Sequence, residues 1–478
     1  MRRSFTSSQT PSGFLLVLVL VFGSVLFTIA SSFIVFIVTQ SRLIEQKVQL
    51  EGAGQIAEAG LNYYKWYLAH FPNDVTNGTG LPGPYVGIYN DPEGGAIGEY
   101  SLSIASTSYC GSISSIDVTS TGHTYEMPAV KRQISARYAR PTVAEFAFIL
   151  NSSVWAGPDR IINGPYHSNG GIRMDGTHNS VVTSNVATWN CDSTFGCSPS
   201  GNRNGVFTTT ANANPALFEF PSAPINFAGL TVDLATMQTR AQNNGGLYIA
   251  PSGASGYRVV FNAAGTVSVY RVTSTQLYWG YTTESGWQQE RNVYSANTLV
   301  GTYAIPATCP LIFVEDKVWL EGTVRDRVAL AAADLDTSGV NPSIILKNNI
   351  TYVSATTSAL LAVAEQDVLI GVDVPDDMNI NGIYIAQNGR YGRNHYVNSG
   401  GYSLPSGLLG NVIRNSETMN GTIVSNGRVG TQWTSGGITI SGFRSRNNTY
   451  DRNLVANPPP LVPVTSDVFE FSEWRDSN

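Results

Sequence analysis

"NGTIVSNGRVG", residues 420–430, carries two Asn-Gly pairs with four residues between them. The same layout occurs in "NGIYIAQNGRY", residues 381–391, and in "NGPYHSNGGI", residues 163–172. Asn and Gly both tolerate positive φ and suit tight bends, and four or five residues between bends make one short strand. Each copy therefore reads as turn, strand, turn. A motif that recurs this way is a structural repeat, not a catalytic signature.

The surrounding sequence extends that reading. "VWLEGTV" at 318, "VALAAA" at 328, "SIILKNNITYV" at 343, "DVLIGVDV" at 367 and "GITISGF" at 437 are short β segments with no crossover helix between them. Such a series builds either a parallel β-helix-like domain or an antiparallel β-sandwich. Apolar residues in successive segments, with Asn and Gly at the corners, favour stacked rungs over residues 141–457. An insert at about 185–300 is expected to interrupt them, with one short helix at 229–244.

Composition points the same way. Charged residues are 13% of the 478 and glycines number 47, which suits a mainly β, exported protein. The net charge of −6, with no Lys/Arg cluster, argues against a nucleic-acid partner.

No charged residue lies between Arg3 and Arg42. Phe14–Val38 is a continuous apolar run, roughly 38 Å long as a helix at about 1.5 Å per residue, so residues 14–39 are expected to cross a lipid bilayer. The run exceeds the apolar core of an ordinary signal peptide. Helix-forming sequence continues through 40–71 as a stalk, with Pro72 and Asn73 ending it. Tyr63, Tyr64, Trp66, Tyr67 and Phe71 form an aromatic stripe expected to pack on a β domain. The expected location is the cell membrane, single-pass, with the C-terminal ectodomain on the extracellular side.

The short polar leader 1–13, the Gly13-Phe14 junction opening into the apolar span, and "QIAEAGL" followed by aromatics resemble type IV pilin-like proteins, in particular the PilX-type minor pilins. That resemblance implies cleavage between Gly13 and Phe14 and association with pilin-like subunits. Leu18 stands where that family usually has a glutamate, and the basic residues are Arg2 and Arg3 rather than neighbours of the glycine.

Residues 72–140 alternate apolar and polar in "EYSLSIASTS", "SSIDVTSTGHTY" and "KRQISARYAR", a small pilin-like β domain ending near Arg140 and Pro141. Cys191 and Cys197 flank five residues and are candidates for a small disulfide loop, whereas nothing in the sequence pairs Cys110 with Cys309. No third ligand lies at metal spacing, and no cofactor motif is present. Glu315, Asp316, Glu321, Arg325, Asp326 and Arg327, with Asp373, Asp376 and Asp377, are the strongest candidates for glycan cleavage, and they read better as turn residues and solvated faces of rungs. His167 reads as a surface turn residue. In the tail, 458–478, Pro458–Pro460 cannot join a ladder, and Phe469, Phe471 and Trp474 are expected to cap the open end of the stack.

The expectation is therefore a membrane-anchored structural or adhesive surface protein, not an enzyme, whose partners are pilin-like subunits or surface glycans. The alternative is a membrane-tethered glycan-active β-helix enzyme.

Overall fold

The computed structural model describes residues 12–72, 74–227, 233–336, 341–466 and 468–477. Leader residues 1–11, the helix terminator Asn73 and residues 229–232 of the expected short helix lie outside them. The protein is mainly β, with one long apolar helix followed by a large multi-sheet β domain. It divides into two compact units: Met1–Ala105 with Asp117–Ala136 and Trp474–Asn478, and Ser106–Ile116 with Arg137–Glu473. The larger unit thus begins at Arg137 and takes in a second piece of chain at 106–116, which a single cut near Arg140 does not capture.

In the first unit, α1 runs Ser12–His70. Its residues from Gly13 to Val48 are exposed, and burial begins at Gln49. From there Ala53, Ile56, Ala57, Leu61, Tyr64 and Leu68 are buried, a three- and four-residue spacing that keeps one face on the sheet. Gly122 allows the close approach, because a Cβ there would press into the Ala53 carbonyl oxygen. Of the aromatic stripe only Tyr64 and Tyr67 are buried; Tyr63 and Trp66 are exposed because they fall on the helix's other faces, and Phe71 is exposed one residue beyond the helix end. The sheet is β1 (Tyr85–Asn90), β2 (Ala96–Tyr109), β3 (Ser112–Thr124) and β4 (Lys131–Ala139), and Glu470–Ser477 continues it beside β4. The tail therefore adds a strand to this small sheet instead of capping the stack, with Asp476 bonded to Arg132.

The second unit is built on parallel ladders. One column of directly paired residues runs Leu247, Ile312, Leu330, Ala362, Tyr384 and Ile423. It continues not downstream but at Phe148, then Tyr166, Val182 and Phe218. The segment 148–219 is thus laid onto the strands of 377–449, and stack order departs from chain order. A second ladder makes the same return, from Ile380 to Met419 to Asn448 and then to Ile162. Ile423, Phe148 and Tyr166 are at most 1% exposed and share one core with Leu330 and Tyr384. Each large apolar side chain in it contributes roughly 1.5–3 kcal/mol by leaving water.

The other face of the first ladder carries Phe313, Val363, Ile385 and Val424. The helix Leu234–Asn243 covers it with Leu234, Met237 and Ala241, and the Cys110–Cys309 disulfide closes against the same cluster. Residues 185–300 are not an insert that interrupts the stack. They supply its two ends: Val206–Phe207 and Phe218–Glu219 at one, and at the other Tyr257–Asn262 with the long antiparallel hairpin Thr266–Thr282 and Gly286–Ala304. An antiparallel hairpin and short terminal strands leave little parallel edge exposed for another chain to pair with.

The three Asn-Gly repeats stack, by two devices. Asn381-Gly382 lies directly on Asn420-Gly421, and Gly382, Gly421 and Gly164 have φ of 137°, 139° and 129°. Gly427 is not in the positive-φ region; its pair serves through Asn426. Asn426 Nδ2 donates to the Asn388 carbonyl at 3.2 Å, Asn151 Nδ2 to Asn426 Oδ1 at 2.8 Å, and Asn169 Nδ2 to Asn151 Oδ1 at 2.9 Å.

Candidate functional site: an apolar helix and an aromatic, arginine-lined cleft

Gly13 and Phe14 lie in the first turn of α1, and Phe14 is 71% exposed. Phe14–Val38 carries no charge, and α1 is long and apolar enough to cross a membrane. Beyond it, Gln49 is held by Thr124 Oγ1, which donates to its Oε1 at 2.5 Å, while its own Nε2 donates to Glu126. Ten exposed, largely polar residues, 39–48, thus separate the apolar stretch from the packed part of the helix.

The acidic and basic residues singled out in the sequence do not gather in one group, although the Arg258–Glu321 and Lys347–Asp373 pairs both lie against Tyr294. Glu315 accepts hydrogen bonds from Tyr248 and Gln238, and burial pushes its carboxyl up. Asp316 accepts from the Ser252 backbone N–H at 3.0 Å and its hydroxyl at 2.5 Å. Glu321 pairs with Arg258, Asp373 with Lys347 and Asp376 with Arg414, while Asp377 accepts from Asn415 and Ser416. Arg325 donates to the Ala264 carbonyl and Arg327 to the Tyr109 hydroxyl, and Asp326 is exposed. All but Asp326 are turn or rung-edge braces, each with its own partner. Among the described residues no group of His, Cys, Asp or Glu is placed to hold a metal ion.

His167 is not a surface turn residue. It lies in the strand Tyr166–Ser168, 3% exposed, with Nδ1 at 2.8 Å from Thr183 Oγ1 and Nε2 at 3.0 Å from Asn169 Oδ1. Burial lowers its pKa, so the neutral ring is favoured.

A cleft of about 500 Å³ opens elsewhere in the second unit. Its aromatic walls are Trp155, Tyr281 and Trp433. Trp433 is fixed by its Nε1 donating to the Arg393 carbonyl at 3.0 Å, and Tyr281 meets it edge-on at 5.7 Å. Trp155 donates to Asp175 at 2.9 Å while Arg173 lies 4.5 Å over its ring. Four guanidinium groups line the same space: Arg390, Arg428, Arg444 and Arg446. Arg446 is neutralised by a two-point contact with Asp159 at 2.6 and 2.7 Å. Among the described residues the other three make no ion pair.

Arg428 directly follows the second Asn-Gly pair of its repeat, where a side chain is ordinarily solvated. Instead its Nη2 donates to the Thr194 carbonyl at 2.6 Å and its guanidinium lies 4.1 Å from the Phe195 ring, with burial lowering its pKa. Thr194 is presented by the short loop that the Cys191–Cys197 disulfide closes, with Asp192 accepting from its backbone N–H and hydroxyl. No local motif announces this cleft, because its walls come from separate rungs and from the end hairpin.

No family model matches the chain, and no curated protein matches it. Among solved structures, the crystal structure of the competence-associated pilin ComZ from Thermus thermophilus is similar at 13% identity, over 88% of this chain and 96% of that one, with a TM-score of 0.29, too low to establish a shared fold.

Proposed function

We propose that this chain is a membrane-anchored, pilin-like surface protein of the PilX-like kind, whose β-helix-like ectodomain has a structural or adhesive role rather than a catalytic one. The contrast within α1 carries the reading. Residues 14–38 present a charge-free, predominantly apolar and exposed surface, while one face of the same helix from Ala53 to Leu68 is buried on the small sheet. Leaving the large apolar side chains of this 25-residue stretch in water costs roughly 1.5–3 kcal/mol for each, so this half is built to sit in a bilayer and then against other apolar helices. Pairing of Glu321, Asp373 and Asp376 with basic side chains supports a non-catalytic role, and the two disulfides support export to an oxidising compartment.

The test is made in native membranes. The chain should fractionate with membranes and resist extraction by salt, external protease should reach the ectodomain in intact cells, and the mature N-terminus should be Phe14. A chain found in the soluble fraction refutes anchoring, and an intact Met1 or Arg2 refutes pilin-like processing at Gly13-Phe14.

A further inference from the structure

We propose that the cleft walled by Trp155, Tyr281 and Trp433 binds an acidic saccharide, a sugar chain bearing carboxylates. This goes beyond the surface role and stands on the cleft alone, so it does not depend on whether α1 is anchored. Its volume of about 500 Å³ falls within the range of small-ligand sites and holds a few rings, not a macromolecular face. Trp433, Trp155 and Tyr281 are half-buried and held by hydrogen bonds or ring contacts, so they offer fixed apolar faces at little entropic cost. A sugar ring presents such a flat apolar face together with hydroxyls.

The polar lining matches the rest of that ligand. The hydroxyls of Thr434 and Thr439 supply neutral donors for a ligand's hydroxyl groups and the Thr283 oxygen an acceptor, while Gln432 is held by Thr439, Phe443 and Arg446. Arg444 is exposed, and among the described residues its guanidinium makes no hydrogen bond. Arg428 spends one donor on Thr194 and Arg390 one on Asn394, leaving forked donors of the geometry that carboxylates accept. With Asp159 occupied by Arg446, Glu284 is the other carboxylate in the lining; Asp192 near Arg428 and Asp367 near Arg390 offset part of the positive charge from outside it, and Arg444 makes no ion pair among the described residues. A nucleic acid meets the same stacking faces, but it needs an extended basic track. Here the basic groups are local to the cleft of a chain with net charge −6.

The full chain in detergent would be titrated with tetragalacturonate, its methyl ester and a ten-nucleotide oligothymidylate, following calorimetric heat and tryptophan fluorescence. Tetragalacturonate should bind and change the fluorescence, and the methyl ester should bind about tenfold more weakly, because it keeps the rings and loses the charge-assisted hydrogen bonds. Arg444→Ala, an exposed position where folding is not at risk, should weaken tetragalacturonate about tenfold. Arg203→Ala, an exposed arginine outside the cleft, should leave it unchanged. Equal affinity for acid and ester overturns the proposal, as does silence in both readouts at millimolar ligand. Tighter binding of oligothymidylate that Arg444→Ala also weakens overturns it in favour of a nucleic-acid site.

Discussion

The two Asn-Gly pairs of each repeat share a dipeptide and differ in which residue matters. At the first pair the glycine is decisive. Gly382 and Gly421 stack with φ of 137° and 139°, and a side chain on Gly421 would run into the Gly382 carbonyl oxygen. At the second pair the asparagine is decisive: Asn426 links Asn388 below it to Asn151 above it, while Gly427 has ordinary backbone angles. One pair bends the strand where no Cβ is tolerated; the other ties neighbouring rungs through amide groups. Composition alone cannot separate these roles, since separating them requires knowing what lies one rung away.

The harshest way to break the stack is from inside. Ile423 is 1% exposed between Tyr384 and Phe148. Ile423→Asp places an uncompensated charge in that column and should cost about 4 kcal/mol or more, seen as loss of the cooperative thermal transition followed by circular dichroism. Next comes the bend. Gly421→Val should cost about 3 kcal/mol, because backbone strain at positive φ adds to the clash with Gly382. A melting temperature equal to wild type would show that the first Asn-Gly pair is not a stacked bend. Smaller still is the amide link. Asn426→Ala removes the bonds to Asn388 and Asn151 and should cost about 1–2 kcal/mol in a denaturant titration, with an unchanged slope if the fold is otherwise kept.

Legibility followed the range of the interaction. The bends, the apolar residues between them and the long helix each depend on neighbours a few residues away, so alternation and Asn-Gly spacing revealed a mainly β unit behind an apolar helix. The return of the stack from Ile423 to Phe148 joins residues 275 positions apart, as Asn151 and Asn426 also are, and no local pattern encodes it. For the same reason 185–300 read as an insert when it forms both ends, and Cys110 could not be assigned to Cys309 at a separation of 199. His167 looked like turn chemistry because it sits between Asn-Gly pairs, yet its strand pairs with Ile149 on one side and Thr183 on the other, which buries it within the stack. The cleft was the least legible part. Trp155, Tyr281, Arg428 and Trp433 belong to different turns of chain, and each alone is an unremarkable surface residue until the rungs bring them to one mouth.

The smallest predicted effect separates the two Asn-Gly pairs most sharply. Gly427→Ala puts a methyl group 3.0 Å from Arg390 Cβ and 3.2 Å from the Gly389 carbonyl oxygen, a tight fit that a side chain and a loop corner can relieve by a small shift. No positive φ adds strain, and replacing glycine also lowers the entropy of the unfolded chain. The net change should be within about 1 kcal/mol, against about 3 kcal/mol for Gly421→Val and still well above 1 kcal/mol for Gly421→Ala, where the φ of 139° and the Gly382 carbonyl are unchanged. Parallel urea titrations of Gly427→Ala and Gly421→Ala make the comparison with the same added methyl. If the two alanine variants lose equal stability, the two pairs are equivalent corners and the division between bend and amide link is wrong; if only Gly421→Ala falls, the division holds.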